Sequence, residues 1–178
     1  MGFDVRGFVA RYLSWLFLVV VLLLGVCVGA YFYRWWVEEE RRRFLIYSVY
    51  AFADVPLGEL GDLDSTLGFL LSTNASSDVL RLQVSVYFHD VRFLSYLSIM
   101  LHALTGDRKY EVFGLAMNNL KLFLVKIKGS SDVRSVLEVN FRVLCEIAGV
   151  FRVIGRMKYL TLAEAERLLE LSKMLRYA

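Results

Sequence analysis

Hydrophobic and polar residues divide the chain into regions with different rhythms. From Tyr12 to Tyr33 no residue is charged, and Ser14 is the only hydroxyl residue outside the aromatics. A helix of that length is about 33 Å long, enough to cross a hydrocarbon core about 30 Å thick. Leu16 to Leu24 is an unbroken apolar run. Phe8, Tyr12 and Trp15 flank one end, and Tyr31, Phe32, Tyr33, Trp35 and Trp36 the other, as interfacial aromatic belts do. Arg11 and Arg34 can snorkel outward from the two boundaries. The pattern predicts a tail over 1–11, a single transmembrane helix over 12–33, and the lipid bilayer as a partner.

A cleavable export signal competes with this reading. Arg6 and Arg11 would be its basic end and Val28-Gly29-Ala30 its cleavage site, releasing an exported helical protein. The apolar run exceeds the usual length of such signals, and cleavage would leave Tyr31 to Trp36 exposed at the new terminus. An uncleaved anchor is the expectation. Arg34, Arg41, Arg42 and Arg43 outnumber Arg6 and Arg11, which places the C-terminal domain on the cytoplasmic side. Glu38 to Glu40 and the glycosylation sequon Asn74-Ala75-Ser76 argue the other way. Gly25 and Gly29 share one helix face and would let a second anchor approach, giving a homodimer through the transmembrane helix.

Beyond the anchor the pattern predicts a juxtamembrane helix over 34–53, held by the acid-first pairs Glu38/Arg42 and Glu39/Arg43. Residues 54–77 combine several acids with no base and carry Pro56, Gly58, Gly61 and Gly68. They read as an acidic linker with one short helical turn around Leu67 to Leu71. Asp62-x-Asp64-x-Thr66 opens like a calcium loop, but Leu67 and Thr73 stand where its glycine and glutamate belong.

Residues 78–178 read as a four-helix, bundle-like domain, with helices over roughly 78–104, 107–128, 132–156 and 161–177. Ser76-Ser77-Asp78 and Ser130-Ser131-Asp132 offer N-caps, and Thr161 with Glu164 forms a capping box stapled by Leu160. Gly106 and Gly129 suit the left-handed position after a helix. Leu137, Phe141, Leu144, Ile147, Ala148, Phe151 and Ile154 follow a buried helical stripe, while Arg134, Glu138, Arg142 and Glu146 alternate in sign on a wet face. Leu80 to Tyr87 alternates as a strand would, although its bracketing caps favour helix. The predicted fold is all-α.

Composition agrees with that organisation. The chain has 178 residues, 57% apolar and 22% charged, with 12 Gly and 2 Cys. Disordered, collagenous and disulfide-framework classes are thereby excluded. Net charge is only +3. No basic and aromatic nucleic-acid module is recognisable, so nucleic-acid binding is not expected.

No phosphate loop, zincin motif, hydrolase elbow or Cys-x-x-Cys occurs, so the expectation is a non-enzyme with no cofactor or metal. Cys145 reads as a small core residue. His89 and His102 lie about 20 Å apart on one helix and cannot share a metal. They fall with Arg81, Ser85, Arg92 and Ser95 on a polar face, so Arg81, His89 and Arg92 are candidates for contact with an acidic partner. Asp90 falls opposite, among Leu80, Val84, Tyr87, Val91 and Leu94, and is expected in a buried ion pair. The resulting expectation is a membrane-anchored interaction or assembly protein whose protein partner the sequence does not name. The alternative is an anchored sensory or ligand-binding bundle.

Overall fold

A computed structural model describes residues 5–157 and 159–176, with side-chain surroundings from Trp15 onward. Six helices follow one another: α1 (Val5–Gly61), α2 (Leu63–Ser72), α3 (Ser77–Thr105), α4 (Arg108–Gly129), α5 (Val133–Met157) and α6 (Leu162–Lys173). Among the described residues there is no strand, and the fold is all-α. The chain forms two units, one ending at Leu45 and one beginning at Ile46.

In the first unit α1 presents its apolar side chains outward, from 41% exposure at Val19 to 74% at Trp15. By length and composition this helix can cross a membrane, a property that a signal sequence shares. Arg43 pairs with Glu39 at 3.2 Å as the spacing predicts, while Glu38 lies 3.5 Å from Arg34. These pairs are exposed and contribute little.

The second unit corrects the linker. Residues 54–61 continue α1 and 63–72 form α2, so the predicted acidic linker is helical nearly throughout. The reason is an apolar stripe: Val49, Ala53, Leu57 and Leu60 recur every three or four residues, followed by Leu63 and Leu67, and all six are buried. Pro56 removes one donor to the Phe52 carbonyl, yet the helix persists because the stripe on either side is packed. Tertiary burial outweighs local breakers here. The predicted 78–178 domain therefore shares its core with the end of α1 and with α2.

Helix α2 ends in a Schellman motif. Asn74 takes φ 53°, its N–H bonds Leu71 O at 3.3 Å, and the Ala75 N–H reaches Leu70 O at 3.0 Å. The Arg134 guanidinium donates to Leu71 O at 3.1 Å and Ala75 O at 2.8 Å, placing positive charge where carbonyls are left over. The asparagine of the sequon is thus a helix stop.

The four remaining helices begin and end within a few residues of their predicted bounds. Ser76 caps α3 through Val79 N, and Gly106 closes it at φ 67° with its N–H on His102 O at 2.7 Å. Asp132 accepts from Ser135 N at the start of α5. Gly129 differs from expectation: it is the last residue of α4, and Gly106 is the only described glycine with positive φ. The α4 end is closed instead by Ser130 N–H on Ile127 O and by Arg81 donating to Ser130 O at 3.0 Å. Of the predicted α5 stripe every member is buried except Phe141, which is half-buried. Arg134–Glu138 and Arg142–Glu146 pair along the wet face.

Helix α3 packs on α4, α4 on α6, and α5 on both α2 and α6. A bidentate pair from Arg152 of α5 to Asp64 of α2, at 3.1 and 2.8 Å, ties α5 to α2. Thr161 accepts from Glu164 N while Glu164 Oε2 accepts from Thr161 N at 2.8 Å, completing the capping box beside buried Leu160. Thr161→Ala is expected to destabilise the chain by about 1 kcal/mol. An unchanged denaturant midpoint would mean that the cap contributes nothing to α6.

Candidate interaction site

Helix α3 carries two apolar faces. The first is the core face, where Leu80, Val84, Tyr87, Val91 and Leu94 are buried. The second points to solvent. Val79, Leu82 and Val86 are 43%, 69% and 39% exposed, and Phe93, Tyr96 and Met100 are 42%, 55% and 51% exposed. With His89 in the middle and Ala103 at the end, their spacing alternates three and four without a break. That is the a/d rhythm of a helix seam. It also explains the strand-like alternation of Leu80 to Tyr87: Leu80, Val84 and Tyr87 belong to the core face, and Leu82 and Val86 to this outer face. A second apolar stripe beside the core face is more than a surface helix ordinarily carries. The sequence signal was therefore present, as a second helical period laid over the first.

Beside this face a groove of about 360 Å³ runs between α3 and α4. Its floor is a close approach: a Cβ at Gly114 would lie 2.7 Å from Ser98 Oγ, which itself donates to Ser95 O. Leu115 of α4, which lines the groove, is exposed by about half, as are Leu122 and Val125 further along α4.

The predicted partner residues separate. Arg81 is spent on Asp78 at 3.3 Å and on Ser130 O, so it belongs to the α4 end rather than to a contact face. Arg92 is exposed and lies over its own Tyr96 ring at 5.6 Å. His89 is exposed, edge-on to Phe88, and sits within the outer apolar face. Ser95 is buried, and His102 Nδ1 lies 3.2 Å from Asp107 O. Gly25 and Gly29 have nothing within 4 Å of where a Cβ would stand.

Asp90 departs from the expected ion pair. The neighbour within its hydrogen-bonding reach is another acid, Glu59 of α1, and Asp90 Oδ2 is buried without a partner. Burial, then the Glu59 hydrogen bond and charge, push the Asp90 carboxyl up to about 7. The second carboxyl beside it makes ionisation of Asp90 costly, so Asp90 holds its proton more tightly.

A cavity beneath the Tyr50–Tyr110 hydroxyl pair, whose oxygens are 2.9 Å apart, measures about 30 Å³. Burial pushes the Cys145 thiol up, away from the reactive thiolate. Among the described residues no three His, Cys, Asp or Glu side chains converge as metal ligands. Asn140, which sequence reasoning passed over, is buried and clasps the Arg176 backbone from both sides, at 2.7 and 2.8 Å. No family model, no curated protein and no solved structure matches this chain.

Proposed function

We propose that this is a single-pass, membrane-anchored helical protein whose work is interaction or assembly rather than catalysis. It has a juxtamembrane helix and a bundle-like domain. The observation that carries the reading is the outer face of α3: eight seam positions in strict a/d spacing, none of them Asp, Glu, Lys or Arg, left open to solvent. Contiguous apolar faces of this size on soluble domains mark contact surfaces. The exposed apolar stretch of α1 supports the anchor, and the arginine excess after it supports a cytoplasmic domain.

Membrane residence and sidedness are read by one preparation, a Cys27→Ser chain carrying Ser77→Cys. It is expected to stay with membranes through alkaline extraction, and the exposed residue 77 to escape an impermeant maleimide in intact cells. Release by alkali overturns the anchor, and labelling from outside overturns the cytoplasmic side. Gly25→Leu with Gly29→Leu is expected to lower self-association between anchors, because bulk keeps the two backbones apart. Equal dimer fractions in bilayers would remove that role.

A further inference from the structure

We infer that the outer face of α3 is a homotypic seam, covered in the assembled protein by α3 of a second copy of this chain. The inference rests on the interaction reading above and names its partner. A face with a/d spacing is filled by a helix with the same spacing, knob against hole. This chain supplies such a helix itself. The seam runs from Val79 to Ala103, about 36 Å.

The pattern is self-complementary. About a two-fold axis passing at the level of Val91, Leu82 meets Met100 of the second copy and Val86 meets Tyr96. His89 meets Phe93, and Val79 meets Ala103. At the two layers next to the centre, an aliphatic or imidazole side chain faces an aromatic one, which fills the seam without stacking the largest rings on themselves. Such a contact is isologous and closes at two chains.

Area and charge point the same way. With its side chains between two-fifths and two-thirds exposed, the face offers on the order of 700 Å². A standard stable interface needs about 800 Å² per partner, and Ile99 and Leu104, 62% and 38% exposed, extend the rim. No seam position carries a fixed charge. A strongly acidic or basic partner would therefore find nothing to pair with at the centre, whereas an identical apolar seam leaves no charge stranded.

Sedimentation equilibrium of the full chain in detergent tests this, in the Gly25→Leu/Gly29→Leu background so that anchor packing does not mask the result. That chain is expected to remain dimeric. Adding Leu82→Glu and Tyr96→Glu is expected to raise the dimer Kd at least about 100-fold, because four unpaired carboxylates would be buried. Both side chains point outward, so circular dichroism and thermal unfolding of the monomer should hold. A monomeric background chain overturns the proposal, and so does a dimer indifferent to the two glutamates.

A photo-crosslinking residue at Leu82, in native membranes, separates this proposal from the broader one. The expected adduct joins two copies near Met100. An adduct with a different protein overturns the second copy as occupant and leaves an interaction surface standing. Absence of any intermolecular adduct overturns both.

Discussion

Leu60→Ala is expected to destabilise the chain by about 2–5 kcal/mol, while Val55→Ala on the same helix changes stability by less than about 0.5 kcal/mol. Leu60 is fully buried and Val55 is 68% exposed. Truncating Leu60 removes transfer energy and opens a hole between α1 and the helices it covers, whereas Val55 loses only contact with solvent. In a flexible linker the two substitutions would be alike. Denaturant midpoints of the three full-length chains decide the matter, and equal midpoints would detach residues 54–61 from the core.

The second large effect is a dependence on pH that runs opposite to most carboxylates. An unfolded aspartate releases its proton near 3.8, and in the fold Asp90 holds it up to about 7. The folded chain therefore binds this proton more tightly than the unfolded chain. The stability it confers is complete below pH 4 and is lost as pH rises toward 7. The full shift would correspond to about 4 kcal/mol, and because the site is only part-buried, screening reduces the expected loss to about 1–2 kcal/mol. The comparison must be with Asp90→Asn, so that only the contribution of this carboxyl is read. Asparagine keeps the shape and cannot ionise. Urea unfolding at pH 4.5 and 7.5 should show wild type losing more than the variant. Parallel losses would mean that Asp90 does not hold its proton more tightly in the fold.

The carboxyl pair also shows how far linear reasoning reaches. The position of Asp90 on the apolar side of α3 was legible from spacing alone. Its partner was not, because Glu59 lies on another helix within a segment that reads as linker, and the usual partner of a buried acid is a base. Arg152 and Asp64 were hidden for the same reason, separated by 88 positions.

What the sequence determined by itself is what depends on near neighbours. The long apolar N-terminal helix, the all-α class, the bounds of α3 to α6, the Thr161 capping box and the left-handed Gly106 all follow from residues within a turn or two. Caps, periodicity and hydropathy act over that range. What only the tertiary structure decided is where local signals conflict or fall silent. Pro56, Gly58 and Gly61 call for a break, and burial of Leu57, Leu60 and Leu63 overrules them. Gly129 offers a left-handed stop, and the Arg81 guanidinium closes the helix end instead. Of the two apolar periods in α3, spacing made the side of Leu80, Val84 and Tyr87 legible, and packing left the second, with Leu82, Val86 and Phe93, outside. Either face is a sound helix, and the helices packed on one side of it leave the other uncovered.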